Sequence, residues 1–218
     1  ARDLRLGLLE VGEALEQLPA HELEMQFTAQ GQTYQKLASS LNGDFHLAGG
    51  RGRTINAGLD KTLGDFFGEL STTINPFIKQ EKYTQIECTA ASLKMKDGVV
   101  LLDPGFVIRT DKIDISAIGR IDLHDESVDV HFKNTPRRGL GLSAAGLINP
   151  FIKVGGKLAS PHIELDAPRA LVSGTAAVAT SGLSLLLGSL IDRVSSANNP
   201  CKQVIINAEQ QRQQNPGK

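Results

Sequence analysis

A long period-two alternation constrains this chain more than any other feature. In KIDISAIGRIDLH, residues 112–124, Ile113, Ile115, Ala117, Gly119, Ile121 and Leu123 alternate with Lys112, Asp114, Ser116, Arg120, Asp122 and His124. Only Ile118 breaks the polar side. Beyond a turn at Asp125-Glu126, Val128, Val130 and Phe132 alternate with Asp129, His131 and Lys133. Successive side chains of a strand point to opposite faces, so these segments predict a sheet with one apolar face and one wet face. Strands joined by turns this short must be antiparallel neighbours.

The pattern extends in both directions. IECTAASLKMKDGVVLL, Ile86 to Leu102, sets Leu93 and Met95 against Lys94 and Lys96, and its Asp97-Gly98 pair predicts a tight hairpin. Asp103-Pro104-Gly105 reads as a further turn. In HELEMQFTAQG, Leu23, Met25, Phe27 and Ala29 alternate with Glu22, Glu24, Gln26 and Thr28, a half-buried strand. Phe45 and Leu47 belong to another, and Ile55, Ala57 and Leu59 continue the pattern beyond a glycine-rich hairpin turn at Gly49–Gly52. A last strand, His162–Leu165, carries Ile163 and Leu165.

Helical spacing is confined to a few segments. Leu8, Val11, Leu15 and Leu18 form one stripe, stopped by Pro19. Tyr34, Leu37, Ala38 and Leu41 form a short face with Asn42-Gly43 as its C-terminal cap. Leu59, Leu63, Phe66, Phe67, Leu70 and Ile74 form a third stripe, stopped by Asn75-Pro76. Residues 170–191 carry no charge, but nine of these 22 residues are Gly, Ser or Thr. The stripe Leu183, Leu186, Leu187, Leu190, Ile191 and Val194 reads better as an amphipathic cover than as a membrane span. The hexapeptide INPFIK occurs at 74–79 and again at 148–153, with flanks that do not align.

The predicted fold class is therefore mainly β with flanking α-helices (α+β): an antiparallel, curved, groove-like sheet partly covered by amphipathic helices. Residues 1–168 form the β-rich domain and 169–196 the helix that packs on or caps the sheet. Residues 197–218 are expected to be a polar tail, disordered after Cys201.

Composition excludes several functions. A net charge of −1 offers no basic excess for a phosphate backbone, and aromatic residues at 5% without Trp offer no base-stacking platform. AGGRGRTINAG lacks the spacing of a phosphate-binding loop. His124, Asp125, Asp129 and His131 fall on the wet side of a hairpin, where solvated charge is the ordinary state. Pro136-Arg137-Arg138 is a basic turn, a minor candidate for anionic headgroups. No catalytic motif, metal set or cofactor site emerges, so no enzyme is expected. Cys88 and Cys201 are either two unrelated buried thiols or one disulfide, and the sequence leaves both open. The chain begins at Ala1 without a charged-then-apolar leader, which reads as a mature chain or a piece of a longer one.

The ordered set LASSLNGDFHLAGGRGRTINAGLDKTL, YTQIECTAASLKMKDGVVLLD, ISAIGRIDLHDESVDVHF and VGGKLASPHIELD resembles the C-terminal region of the AsmA family, over roughly residues 4 to 195. The resemblance implies a Gram-negative envelope protein. It would sit in the periplasm, held to the inner membrane by an N-terminal anchor outside this chain, and act in outer-membrane biogenesis. It implies a bridge-like β-groove that helps transfer phospholipid between membranes, with envelope lipid and envelope proteins as partners. A periplasmic setting would favour a Cys88–Cys201 disulfide. The expected lipid-facing residues are Leu93, Met95, Ile113, Ile115, Ile121, Leu123, Val128, Val130, Phe132, Ile163 and Leu165. The alternative is a docking domain with no transport role, in which the same residues form a sealed core.

Overall fold

The computed structural model describes residues 4–5, 18–55, 69–79, 83–137, 151–165 and 198–214. They form one ten-stranded antiparallel sheet. Its strands are β1 (Leu4–Arg5), β2 (Ala20–Thr28), β3 (Asn42–Gly49), β4 (Gly52–Ile55), β5 (Tyr83–Lys96), β6 (Val99–Thr110), β7 (Ile113–Asp122), β8 (Ser127–Pro136), β9 (Phe151–Lys157) and β10 (Ser160–Leu165). The spatial order follows the chain, β1-β2-β3-β5-β6-β7-β8-β9-β10, with β4 also on β5. Such a meander is what alternating strands and tight turns produce. Helix α1 (Tyr34–Ser39) links β2 to β3. Residues 69–74 form α2, followed by a 3-10 turn at Pro76–Lys79. Helix α3 (Pro200–Gln214) ends the described chain.

The Asp97-Gly98 hairpin forms as expected, with positive φ at both residues and Lys96 opposite Val99. Asp103-Pro104-Gly105 is not a turn. It lies inside β6, where the register with β7 shifts between Leu102 and Phe106. A bulge tolerates the proline that a regular ladder would reject. Gly105 has φ +92°, and a Cβ there would stand 2.2 Å from the Ala117 carbonyl oxygen. The Gly49–Gly52 segment is not a hairpin turn either. Gly49 faces Thr89 and Gly52 faces Ile86, so β3 and β4 run on in the same direction along β5.

The short helix read at Tyr34–Leu41 forms as α1 and buries none of its residues. Thr33 caps its N-terminus and Ser40 is its C-cap, while Asn42-Gly43 already belong to β3. Asn42 instead accepts the Asp97 backbone N–H through Oδ1, tying the start of β3 to the β5–β6 turn. The tail after Cys201 is also corrected, because residues 200–214 are helical. Asn199 Oδ1 accepts the Lys202 N–H, and Pro200 occupies the first turn, where its missing N–H costs nothing. Cys201, Val204 and Ala208 supply a buried stripe within a Gln-rich sequence. The stripes expected at Leu8–Leu15, Leu59–Phe67 and residues 170–191 lie outside the described residues.

Candidate functional site

Cross-strand partners share a face, so the register assigns the sides of the sheet. On one side lie Leu23, Met25 and Phe27 of β2, Phe45 and Leu47 of β3, and Leu93 and Met95 of β5. Val100, Leu102, Phe106 and Ile108 of β6 share it with Ile113, Ile115 and Ile121 of β7. Val128, Val130 and Phe132 of β8, Ile152 and Val154 of β9, and Ile163 and Leu165 of β10 complete it. Ten of the eleven residues singled out in the sequence therefore share one face across β5 to β10. The exception is Leu123, which lies past the end of β7 in the 123–126 turn.

This face is covered unevenly. Phe77 of the 3-10 turn packs with Ile74 of α2 against Ile113, Ile115, Ile108 and Phe132. Leu70 joins a second cluster built on Ala117, Val128, Val130 and Val154, with Ile121 and Ile163 at its margin. Ile113 is fully enclosed. Towards β2 the cover ends. Met95 of β5 is buried and Leu93 half-buried, but Met25 is 55% exposed and Phe27 46% exposed. The most exposed part of the apolar face is thus the Met25–Phe27 end of β2, beside half-buried Leu23, Phe45 and Leu47, and the candidates read from the sequence did not include it. The alternation Leu23-Met25-Phe27 was the available signal.

The opposite face carries Glu22, Glu24, Asp44, Lys94, Lys96, Arg120, Asp129, Lys133 and Lys153. Its centre is not solvated, as a uniformly wet face would be. Cys88 is bonded to Cys201, and Ala90, Val107 and Val204 pack around the bridge. This holds α3 on β5 and β6. Beside it, Arg109 makes a two-pronged contact with Asp114, Nε to Oδ1 at 2.8 Å and Nη2 to Oδ2 at 2.7 Å. Its remaining Nη1 donates to the Asn198 carbonyl oxygen. The hydrogen bonds to Asp114 raise the Arg109 pKa further, so the guanidinium stays charged although mostly enclosed. At the sheet end where β5 begins, Arg137 hydrogen-bonds Glu87 and holds its carboxyl below the ordinary carboxylate value. Arg137 also donates to the Thr110 carbonyl oxygen, so the basic turn is tied into the sheet.

Among the described residues no group of His, Cys, Asp and Glu is placed to hold a metal ion. Nor is any described helix long and apolar enough to cross a membrane. Fold and surface together define an open antiparallel meander with one apolar face, buried at Ile113, Ile115, Ala117, Val128 and Val130 of β7 and β8, half-buried along β6 and exposed at Met25 and Phe27 of β2. Comparison with known proteins adds no identity: no family model matches the chain, and no curated protein or solved structure matches it at a significant level.

Proposed function

We propose that this chain is a lipid-holding part of an AsmA-like envelope protein in the periplasm, where acyl chains lie on the apolar sheet face and phospholipid moves between inner and outer membranes. The observation that carries the reading is the continuity of that face from the covered core out to exposed Met25 and Phe27. An exposed apolar surface that continues a core calls for an apolar occupant. Each acyl CH₂ placed there avoids about 0.8 kcal/mol of exposure to water. The Cys88–Cys201 bridge is compatible with an oxidising compartment, where such bonds persist.

The second reading is a docking domain in outer-membrane biogenesis with a sealed core. Its support is the packing of Leu70, Ile74 and Phe77 over β6–β8. The two part at β2. A photo-crosslinking residue at Met25 or at Gln26, on opposite faces and both exposed, is placed in the intact parent protein in cells. Phospholipid attached at Met25 and none at Gln26 is the expected result. No lipid at either position, with the protein folded, removes the lipid-holding reading in favour of the docking domain.

A further inference from the structure

The corner where β2 hands over to β3 has a chemistry of its own. From Met25 to Gly43, MQFTAQGQTYQKLASSLNG, the single charged residue is Lys36, in a chain that carries 23 Lys and Arg and 24 Asp and Glu. The same stretch exposes four large apolar side chains: Tyr34 at 93%, Met25, Phe27 and Leu37. The carboxylates flanking it in sequence, Glu24 and Asp44, sit on the opposite face of the sheet from Met25 and Phe27. The corner is also held in place. Ser40 Oγ accepts the Gln30 N–H and donates to the Gln30 carbonyl oxygen, each at 2.7 Å. Thr33 caps α1, and the Gly98 N–H donates to the Leu41 carbonyl oxygen.

We infer that residues 25–41 form a membrane-docking tip that inserts Tyr34, Leu37, Phe27 and Met25 into the interfacial region of a phospholipid bilayer. A tyrosine with an apolar ring and a polar hydroxyl suits the headgroup level. The surrounding Gln, Thr and Ser side chains can hydrogen-bond there without burying charge. Within residues 25–41 the one charge is a cation, which anionic headgroups attract, and the nearby Asp97 carboxylate of the β5–β6 turn accepts from Asn42, outside the inserted segment. A preordered tip inserts without a further cost of ordering its loop. The inference deepens the lipid-holding reading, since a tip continuous with the apolar face would pass acyl chains directly onto it, and that consequence rests on that reading.

The chain has no Trp, so Tyr34→Trp creates a single tryptophan at the tip, and Ile205→Trp places one on the outer side of α3 as the control. With the full chain and vesicles of mixed phosphatidylethanolamine and phosphatidylglycerol, emission at position 34 is expected to shift to the blue. Brominated lipids should quench it, and position 205 should stay unchanged. The double variant Tyr34→Ser, Leu37→Ser should lower vesicle flotation by about tenfold or more without unfolding, since both side chains are exposed. No vesicle-dependent shift at position 34 in the folded protein would overturn the inference. So would a shift that follows protein concentration and not lipid, which would mean a second copy covers the corner. Docking with no lipid crosslinked at Leu93, which shares the apolar face but lies outside the tip, would spare the tip and remove the lipid-holding reading. Lipid crosslinked at Leu93 without docking would do the reverse.

Discussion

Replacing both half-cystines, Cys88→Ser with Cys201→Ser, tests what keeps α3 on the sheet. The bridge spans a sequence separation of 113 residues. In the chain-entropy description, freeing a loop of that length in the unfolded state removes about 5 kcal/mol of stability. Among the described residues the other contributions are smaller. Burial of Val204 and Ala208 contributes about 2–3 kcal/mol. The Arg109 hydrogen bond to Asn198 adds roughly 1 kcal/mol. A 15-residue helix with several Gln and one Asn is marginal alone in water. Urea unfolding of the double variant is therefore expected to lose about 5 kcal/mol. Native-state hydrogen exchange should show the amides of Val204 and Ala208 losing protection while those of Ile115 and Ile118 keep theirs. A loss below about 1 kcal/mol, the size of an ordinary surface substitution, would refute the reasoning, as would unchanged protection in α3.

Ile113→Ala should cost about 3 kcal/mol in the same assay, because a fully enclosed side chain under Phe77 and Ile74 leaves a cavity. Met25→Ala, on the same face but exposed, should stay within about 0.5 kcal/mol. Asp114→Asn should destabilise by about 3 kcal/mol, because it strands the enclosed Arg109 guanidinium, and Arg109→Met with Asp114→Leu should recover most of the loss. Glu87 is held below its ordinary value of 4.5 chiefly by its hydrogen bond to Arg137. Its depressed folded pKa contributes stability above about pH 4.5 that is lost as pH falls through the folded value. Arg137→Gln should therefore flatten the acid limb of the stability profile, and an NMR titration should move Glu87 upward towards 4.5.

The strands and their faces were legible because both rest on short-range rules. Alternation fixed the sides of β5, β7 and β8 in residues such as Leu93, Ile115 and Val130, and Asp97-Gly98 fixed the hairpin between β5 and β6. Coverage was not legible. Ile113 and Met25 sit in the same kind of alternation, yet one is sealed and the other 55% exposed, because burial depends on which distant segment packs above. Helix α3 escaped for a related reason: its stripe is only Cys201, Val204 and Ala208, too sparse to read until the bridge brings it against Ala90 and Val107.

The repeated hexapeptide marks the boundary between the two kinds of information. At its first occurrence Pro76–Lys79 form a 3-10 turn, and at the second Phe151, Ile152 and Lys153 open β9. Asp103-Pro104-Gly105 has turn chemistry, yet β5 and β7 on either side keep it within β6 as a bulge. The sequence by itself determined an antiparallel sheet with one apolar face, since side-chain period and turn chemistry are local properties of the backbone. Only the tertiary structure decided which part of that face is closed, where α3 lies and what identical residues become, because the free energy of burial belongs to pairs of segments far apart in the chain.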